Sequence, residues 1–241
     1  YEKGSYRDDE VKAEISLAGV PDYEREMDAN RRVSSNLKFV AGKRILDFGC
    51  GAGDFLNLVK NDCKDVCGVE LQENYKNTLN EIGIRCLDSL EEIEDLSIDV
   101  CVSFHVVEHL PDPVKMLKQI KTKIVSGGMI IIEVPHANDF LLRTMQSNEF
   151  KEFTLWSQHL ILHTRESLKK ILNEAGFINV SIEGVQRFPL SNHLYWLANG
   201  LPGGHKSDLS EIDSPILTKA YGESLAELDR TDTLVAIAEV G

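Results

Sequence analysis

Three glycines at alternate positions, in the stretch Ile45–Leu56 (ILDFGCGAGDFL), constrain the fold of this chain more than any other feature. An apolar run that fits a buried strand leads into Gly49, Gly51 and Gly53, and an apolar helical pattern follows from Asp54. Glycine adopts left-handed backbone conformations at little steric cost, so this spacing predicts a tight turn between a strand and a helix. Such a turn is typical of sheets whose parallel strands alternate with helices.

Strand and helix patterns alternate along the first half of the chain. Short apolar runs predict strands at Arg44–Phe48, Val66–Glu70, Ile84–Cys86, Asp99–Phe104 and Met129–Val134. Helical periodicity predicts helices at residues 22–40, Asp54–Lys60, Asn74–Ile82 and Pro113–Val125, the last of which is expected to end at Gly127 and Gly128. Strands that are apolar on both faces and alternate with helices indicate an α/β protein with a doubly wound, Rossmann-like sheet.

The second half of the chain departs from that rhythm. The pattern predicts a helix within Asn138–Ser147, a helix at Thr164–Ala175, a strand at Ile178–Arg187, a helical insertion at Phe188–Arg230 and a closing strand at Thr233–Val240. We therefore expect about seven strands, N-terminal helices, the insertion before the last strand, and that last strand antiparallel. The chain is interpreted as a single domain, divided into an N-terminal cap (1–40), a core (41–187), the insertion (188–230) and the closing strand (231–241).

The charge of the chain limits its partners. Asp and Glu number 39 against 26 Lys and Arg, which gives a formal net charge of −13. Nucleic acids and anionic membranes need a basic face, so a small molecule is expected as the partner instead. No run approaches the ~18 apolar residues of a membrane span, and residues 1–6 lack the core of a signal peptide. With five scattered cysteines that indicate reduced thiols, these features predict a cytoplasmic protein.

The glycine turn does not match the common phosphate-binding loops. A dinucleotide-binding turn needs glycine at its first, third and sixth positions, and here Asp54 stands at the sixth. A carboxylate at the start of the helix repels a pyrophosphate, which disfavours a nicotinamide-dependent oxidoreductase. The Gly-Lys-Ser/Thr sequence that a P-loop requires is also absent. The ligand of this turn is therefore expected to be held without phosphates.

Three further segments agree with the glycine turn. Glu70 ends the second predicted strand, Asp88 follows the third, and Phe104–Pro113 (FHVVEHLPDP) follows the fourth. In this combination the chain resembles the class I S-adenosylmethionine (SAM)-dependent methyltransferases, and in its 104–113 segment the branch that includes the ubiquinone-biosynthesis O-methyltransferases. The resemblance implies SAM as the cofactor and S-adenosylhomocysteine (SAH) as its product. It also implies a set of cofactor-binding residues: Asp47, Gly49, Cys50, Gly51, Gly53, Glu70, Leu71, Asp88, Ser89 and Phe104.

The chemistry of these residues suits SAM. Glycines permit the backbone to approach the methionyl end closely, and Asp47 can attract its ammonium group. Glu70 can accept two hydrogen bonds from the ribose hydroxyls, and the resemblance places Asp88 near the adenine amino group. Phe104 offers an aromatic face to the adenine. The alternative is a turn required only for strand–helix packing, and the four agreeing segments argue against it.

Histidines are the expected proton acceptors. Methyl transfer from a sulfonium is an in-line displacement, which brings donor and acceptor together and needs a base only to remove an acceptor proton. His105 and His136 follow the fourth and fifth predicted strands, and His159 matches, by resemblance, a histidine of the ubiquinone-type enzymes. Because imidazole titrates near neutral pH, these three are the predicted catalytic residues.

The spacing His105-x-x-Glu108-His109 raises a metal-binding alternative. Some class I methyltransferases bind a divalent ion through a Glu-x-x-Glu-His set in this segment, and this chain has His105 in place of the first Glu. We therefore expect no metal, and we favour Glu108 and His109 as groups that hold the loop by hydrogen bonds. The metal set of His105, Glu108 and His109 stays the alternative.

The insertion is expected to cover the acceptor site. If the strand before it runs parallel to the first five strands, its carboxyl end opens at the cofactor edge of the sheet. Arg187, His193, Tyr195 and His205 are the predicted acceptor-binding residues, although Tyr195 and Trp196 suit a core of the insertion equally well. Arg and His beside aromatic rings suit a sugar or a phosphorylated molecule. The segment also resembles methyltransferases encoded with bacterial surface-polysaccharide genes.

Three functions follow from these patterns. The leading hypothesis is a SAM-dependent O-methyltransferase that acts on a small polar acceptor, a saccharide or a phosphorylated metabolite, as in polysaccharide biosynthesis. The second is O-methylation of a quinol or phenolic precursor, which an acceptor cleft without Arg or His would favour. The third is a SAM-binding regulatory protein without turnover, which binding without methylation would indicate.

Overall fold

The computed structural model describes residues 23–241, so residues 1–22 of the predicted N-terminal cap lie outside the described part of the chain. Its helices are α1 (Tyr23–Val40), α2 (Asp54–Val59), α3 (Glu73–Glu81), α4 (Pro113–Lys123), α5 (Phe140–Arg143), α6 (Asn148–Thr154), α7 (Arg165–Glu174), α8 (Leu190–Asn199) and α9 (Pro215–Glu227). Its strands are β1 (Arg44–Phe48), β2 (Asp65–Val69), β3 (Arg85–Leu87), β4 (Ile98–Phe104), β5 (Ile124–Pro135), β6 (Phe177–Val185) and β7 (Thr233–Val240). Short 3₁₀ turns occur at Leu90–Glu92, Val107–His109, Gly204–Lys206 and Asp208–Ile212.

The seven strands form one mixed sheet in the order β3-β2-β1-β4-β5-β7-β6. β1 pairs in parallel with β2 on one side and with β4 on the other, and β2 pairs in parallel with β3. β7 is antiparallel to β5 and β6. The predicted α/β, Rossmann-like fold with an antiparallel last strand is therefore confirmed. The strand order reverses between β1 and β4, and sheets of this type bind ligands at the carboxyl ends of the strands beside such a reversal.

Two compact units divide the chain. The first unit runs to Phe104 and adds residues 119–130 and 240–241. Its core includes Leu46 of β1 and Val102 of β4, which are fully buried, and Leu79 of α3, which is fully buried as well. Strands that are apolar on both faces require helices on both sides, as the sequence indicates. The interpretation of the chain as a single domain stays a prediction.

The second unit comprises residues 105–118 and 131–239. Its core includes Ile132 of β5, Leu168 and Leu172 of α7, and Leu234 of β7, none of which is exposed. Leu168 and Leu172 lie four residues apart, so they fall on the same face of their helix. This buried face explains why the periodicity of residues 164–175 predicts a helix.

The predicted end of the fourth helix is wrong. α4 ends at Lys123, and β5 begins at Ile124 and runs through Gly127 and Gly128. Gly127 has a φ of +73°, and a Cβ at Gly128 would lie 2.7 Å from the carbonyl oxygen of Asp99. The two glycines therefore shape a long strand at a close backbone approach. In sequence alone they look like a pair that ends a helix, because both roles require glycine.

The segment Asn138–Ser147 is predicted to contain one helix. In the structure it contains the short helix α5 and, at its end, the residue that caps α6. α5 follows Asp139, whose carboxylate accepts hydrogen bonds from two backbone N–H groups of the helix. α6 follows Ser147, whose hydroxyl accepts a hydrogen bond from one. Gln146, between the two helices, has a left-handed φ of +53°. Two capping residues and one left-handed residue thus interrupt a pattern that otherwise resembles a single helix.

The predicted sixth strand ends early. β6 stops at Val185, and the following residues form a loop around the carboxylate of Asp232. Asp232 accepts hydrogen bonds from the side-chain amide of Gln186 at 2.9 Å and from the backbone N–H groups of Arg187 at 3.0 Å and Phe188 at 3.1 Å. These hydrogen bonds replace the ladder that a longer strand would have made.

The glycine turn gives a test of local strain. Gly53 has a φ of +73°, and a Cβ there would lie 2.3 Å from Cδ2 of Leu79, whereas Gly83 has a φ of +78° and no atom within 4 Å of such a Cβ. We expect Gly83→Ala to lower the free energy of unfolding by about 1–2 kcal/mol, the cost of a left-handed conformation. Gly53→Ala should cost about 1–3 kcal/mol more, because Leu79 must move.

Chemical denaturation of the two variants measures this difference. Gly83→Ala is the matched control, since it carries the same backbone strain without the steric clash. Equal losses of stability in the two variants would show that Leu79 does not pack against the turn.

Candidate active site

The turn after β1 has the left-handed geometry that its glycines predict. Gly49, Gly51 and Gly53 have φ values of +77°, +53° and +73°. The backbone N–H of Gly49 donates to the carbonyl oxygen of Val69 at 2.8 Å, which ties the turn to the end of β2. The bare backbone of Gly49 and Gly51, both half-buried, therefore lies at the carboxyl end of β1.

Asp47 carries a buried carboxylate without a hydrogen-bond partner for its Oδ1 among the described residues. The residue is 3% exposed. Burial raises the pKa of Asp47 to about 7, although the Arg32 guanidinium lowers it in part and Glu70 raises it further. An unpaired buried carboxylate is unfavourable. The position therefore fits a ligand that brings a cation, as the ammonium group of SAM does.

Glu70 lies at the end of β2 with a fixed carboxylate. Its Oε2 accepts a hydrogen bond from the backbone N–H of Gly51 at 2.9 Å, and its Oε1 accepts one from that of Gln72 at 2.8 Å. A carboxylate oxygen can accept two hydrogen bonds, so one acceptor position is left on each oxygen. Two oxygens that are held in this way suit a pair of neighbouring hydroxyls, such as those of a ribose.

Helix α1 supplies two cations to this edge of the first unit, and the sequence reading missed both. Arg25 pairs with Asp54 at 2.7 Å, so the carboxylate at the start of α2 has a partner within the protein. The guanidinium of Arg32 lies 4.6 Å from the ring centroid of Phe104 and also acts on Asp47. The only sign of these contacts in the sequence is the presence of Arg residues in the predicted helix. Helical periodicity does not show which strand ends the helix faces, so it could not place the two cations.

The remaining predicted cofactor residues lie nearer the surface. Asp88 forms an ion pair with Lys76, and Leu71 is 56% exposed. The hydroxyl of Ser89 accepts a hydrogen bond from the backbone N–H of Glu91 at 3.3 Å and caps the next turn. Because β2 and β3 are parallel, these residues lie at the same edge of the sheet as Glu70. Their roles toward a cofactor stay predictions.

His105 begins the second unit and lies between two carboxylates. Its φ of +56° is left-handed, which costs a non-glycine residue about 1 kcal/mol or more and is typical of functional sites. Its Nδ1 lies 3.3 Å from Oε1 of Glu108, and its Nε2 lies 3.1 Å from Oε1 of Glu133. Nη1 of Arg187 lies 3.1 Å from the same Nε2.

These contacts favour a charged His105. Burial and the Arg187 cation lower the pKa of His105, but the carboxylates of Glu108 and Glu133 outweigh them, so the pKa is raised. Burial raises the pKa of Glu108, but His105 outweighs that effect and the pKa is lowered. The two carboxylates therefore favour the charged form of His105, which balances buried Glu108. That state does not suit the proton-accepting role predicted for it.

His159 differs from His105 in charge. Its Nδ1 lies 2.7 Å from the carbonyl oxygen of Thr154, so Nδ1 carries the proton and donates it. Burial lowers the pKa of His159. The ring is therefore neutral near pH 7, with an unprotonated Nε2. Unlike His105, His159 has the protonation state that a proton acceptor needs.

Glu108, His109 and His159 can hold a metal ion. One ligand atom from each lies within 4.8 Å of the others. His109, like His159, donates its Nδ1 proton to a backbone carbonyl, that of Gln158 at 2.7 Å, and both oxygens of Glu108 are buried without an aligned hydrogen-bond donor among the described residues. Imidazoles held in this way beside a carboxylate fit a divalent transition metal. His159 thus stands where the sequence spacing proposed His105.

His136 is enclosed in the second unit. It is 1% exposed, and its Nδ1 lies 3.0 Å from the carbonyl oxygen of Thr231, to which it donates. Burial lowers the pKa of His136, although Asp229 acts in the opposite direction. Because the ring is buried and its Nδ1 is engaged by Thr231, its placement favours a structural role over the predicted proton transfer.

The predicted acceptor-binding residues separate into two groups. Arg187 contacts His105, and the ring of His205 lies 5.4 Å from that of Phe188, so the start of the insertion adjoins the histidines and carboxylates described above. His193 is 3% exposed and hydrogen-bonded to the hydroxyl of Tyr221 at 2.6 Å, and burial lowers its pKa to about 4. His193 therefore belongs to the core of the insertion.

Trp196 also belongs to that core. It is 3% exposed, and its ring centroid lies 5.1 Å from those of Phe150 and Phe153. Tyr195, the preceding residue, is half-buried, and a Cβ at Gly204 would lie 2.7 Å from its Cβ. The core alternative considered for these aromatic residues is thus the better description of Trp196.

Glu133 is the main residue of this site that the sequence reading missed. It is 1% exposed and lies in β5, after Ile130, Ile131 and Ile132. A single acid inside such an apolar run was the available signal, because a buried carboxylate requires a cation or donors nearby. We call His105, Glu108, His109, Glu133 and His159 the histidine–carboxylate cluster.

Residues 22–182 match the family described as "Methyltransferase domain". The match spans more than half of the 241 residues, so the chain belongs to this family of methyltransferase domains. The family, the enzyme class and SAM as the cofactor of that class are thereby confirmed as predicted from the glycine turn and its accompanying motifs.

Similar proteins carry related names. The chain is 24% identical over 188 residues to a ubiquinone biosynthesis O-methyltransferase of Psychrobacter arcticus, over 67% of this chain and 69% of that protein. A SAM-dependent methyltransferase structure from Archaeoglobus fulgidus has a TM-score of 0.63 at 23% identity, over 95% of this chain and 98% of the other. Phosphoethanolamine N-methyltransferase 2 of Haemonchus contortus, solved with SAM, has a TM-score of 0.59 at 19% identity, over 88% and 52%. At such identities the structures show the shared fold.

Within residues 23–241, no helix is long and apolar enough to cross a membrane.

The unpaired carboxylate of Asp47 predicts a pH dependence of stability. Its pKa of about 7 lies above that of an unfolded Asp, so the native state binds the extra proton and its stability falls as the pH rises from about 4 to about 7. Asp47→Asn removes this loss. We expect the variant to gain stability over the wild type by up to about 4 kcal/mol across that window.

Denaturation of ligand-free protein at pH 4 to 8 measures this gain. Asp62→Asn, at an exposed position, is the control and should follow the wild type. Stability profiles of Asp47→Asn and wild type that stay parallel across the window would contradict the buried, unpaired state of Asp47.

Proposed function

We propose that the glycine turn and Glu70 bind SAM, with Asp47 facing the ammonium group of the cofactor. The observation that supports this most strongly is the pair of carboxylates at the ends of β1 and β2. Asp47 is buried with an unpartnered oxygen, and Glu70 keeps one free acceptor position on each oxygen. When bound, SAM supplies the activated methyl group, and these residues orient it.

The proposed reaction is O-methylation of a small acceptor, with proton chemistry at the histidine–carboxylate cluster. His159 is the proposed general base, because its ring is neutral and its Nδ1 proton is held by Thr154. His105 is proposed to position the site, since its charge balances Glu108 and its ring contacts Arg187. A neutral base of this kind accelerates proton removal by about 10²–10⁴-fold.

A metal-assisted route is the second candidate for the same step. Glu108, His109 and His159 offer ligand atoms within 4.8 Å of one another. A divalent ion there would lower the pKa of a bound hydroxyl and make a separate base unnecessary. The two routes exclude each other at one atom, because Nε2 of His159 cannot both ligate an ion and accept a proton.

The acceptor is proposed to be polar, with the phenolic class as the alternative. Arg187 adjoins His105, and His205 packs on Phe188, so cationic and aromatic groups border the cluster together. Such a border suits a saccharide or a phosphorylated molecule. The alternative draws support from relatives named ubiquinone biosynthesis O-methyltransferase. Methylation of a phosphosugar but not of a catechol, measured with isotope-labelled SAM, distinguishes the two classes.

The cofactor proposal predicts the effect of one substitution. Glu70→Ala should weaken SAH binding by roughly 1.5–3 kcal/mol, the scale of hydrogen bonds to a charged group. Glu70→Gln should lose less, because one acceptor oxygen is retained. Titration calorimetry measures both affinities, with Glu94→Gln as an exposed control of equal charge change. Unchanged SAH affinity in a folded Glu70→Ala variant would remove Glu70 from the site.

The base and metal routes make different predictions for chelation. With an acceptor that the labelled-SAM assay identifies, His159→Ala should lower turnover by about 10²–10⁴-fold and leave SAH affinity nearly unchanged. For the base route, chelator-treated wild type keeps its activity and binds no Zn²⁺ or Mg²⁺ in calorimetry. For the metal route, a chelator abolishes the activity of the wild type. Glu108→Gln should then no longer bind the metal ion in calorimetry, whereas the control Glu174→Gln should bind it as the wild type does. Full activity of His159→Ala would exclude both routes through this residue.

A further inference from the structure

The first unit contains two thiols close enough to react with each other. Cys50 of the glycine turn and Cys86 of β3 have their Sγ atoms 3.8 Å apart, although 36 positions separate them in sequence. All five cysteines are free thiols. Cys50 is half-buried and Cys86 is buried. The two sulfur atoms lie in direct contact, so only small movements separate them from bonding distance.

A glycine makes this approach possible. Gly68 of β2 pairs with Cys86 of β3, and a Cβ at Gly68 would lie 2.5 Å from the Sγ of Cys50. Any other residue at position 68 would therefore occupy the space of the Cys50 thiol. Cys86 is also fixed, because the side-chain amide of Asn80 donates to its carbonyl oxygen at 3.2 Å and accepts from its N–H at 3.0 Å. The pair is held by its surroundings on both sides.

We infer that Cys50 and Cys86 form a reversible disulfide with a peroxide oxidant, and that this disulfide switches off cofactor binding. The inference rests on the proposed cofactor site. Cys50 lies between Gly49 and Gly51, and Cys86 lies two residues before Asp88. A disulfide between them shortens the distance between the sulfur atoms from 3.8 Å to about 2.05 Å, and we expect this to pull the turn and β3 toward each other. That movement displaces two segments proposed to contact SAM.

The contact between the two sulfur atoms favours the thiolate form of Cys86, which the reaction uses. The hydrogen bond from Cys50 lowers the pKa of Cys86 and raises that of Cys50. One thiolate attacks a peroxide oxygen, the O–O bond breaks, and the leaving hydroxide takes a proton to become water. The second thiol then attacks the sulfenic acid, the S–S bond forms, the S–O bond breaks and a second water leaves. The two thiols lose two electrons, and hydrogen peroxide gains them.

Mass spectrometry and calorimetry on the same samples test this inference. The full chain is treated with hydrogen peroxide, mapped for cross-links without reductant, and titrated with SAH before and after a dithiol reductant. We expect a disulfide link between the peptides that contain Cys50 and Cys86. The SAH affinity of the oxidised protein should be lower by about tenfold or more, and reduction should restore it. By reciprocity, bound SAH should slow the cross-link.

Two variants locate the effect. Cys86→Ser should give no cross-link and keep its SAH affinity in peroxide, which also excludes Cys101 as the partner, since Cys101 lies in the same tryptic peptide as Cys86. Cys63→Ser, a half-buried thiol whose Sγ lies 3.4 Å from the carbonyl oxygen of Val40, should behave as the wild type. Circular dichroism confirms that each variant is folded.

Three results would overturn the inference. They are the absence of the cross-link in the wild type, a cross-linked wild type with unchanged SAH affinity, and an equal loss of affinity in peroxide-treated Cys86→Ser. Failure of the proposed cofactor site looks different, because the reduced wild type would then not bind SAH while the cross-link would still be visible by mass.

Discussion

Burial of carboxylates is the physical constraint on which the functional regions of this acidic chain depend. Asp47, Glu70, Glu108 and Glu133 are each no more than 9% exposed. A carboxylate in that position requires a cation or hydrogen-bond donors. Glu70 obtains backbone N–H groups and Glu108 and Glu133 adjoin His105, whereas one oxygen of Asp47 has no hydrogen-bond partner among the described residues. The incompletely satisfied groups are those best suited to a ligand.

The same constraint assigns different chemistry to histidines that look equivalent in sequence. His105 adjoins two carboxylates and is favoured as a cation, while His159 has only a backbone carbonyl on its Nδ1 and is favoured as neutral. His136 is enclosed and hydrogen-bonded to Thr231. A histidine near a sheet edge is therefore not a base by position alone. Its charge state follows from the groups around each ring nitrogen, and those groups come from distant parts of the chain.

Local patterns explain why the fold could be read from the sequence. The boundaries of β1 and β7 agree with the expected residues, because each run there is also a largely buried strand. Two of the errors lie where one residue type serves two purposes. Gly127 and Gly128 lie inside β5, and a capping Asp and a capping Ser divide the segment 138–147. Residue identity does not distinguish these cases, since the neighbouring backbone decides them.

The sequence predicted the parts of the site whose residues are consecutive, as in the glycine turn. It could not predict the parts that depend on tertiary contacts. Arg32 and Glu133 affect Asp47 and His105 from positions 15 and 28 residues away, as the residue numbers show. No periodic pattern encodes such a distance. An isolated charge in an apolar run, as at Glu133, indicates that a partner exists without indicating which one.

The glycines of the insertion support packing more than motion. A Cβ at Gly204 would lie 2.1 Å from the carbonyl oxygen of Ser191, and the side chain of Asn192 accepts hydrogen bonds from the N–H groups of Gly203 and Gly204. A segment rich in glycine is often a mobile lid, because glycine permits large changes of backbone angle. Here the glycines allow α8 and the following turn to approach closely. This turn of the insertion is therefore held in a fixed shape, and the hydrogen bonds of Asn192 help to hold it.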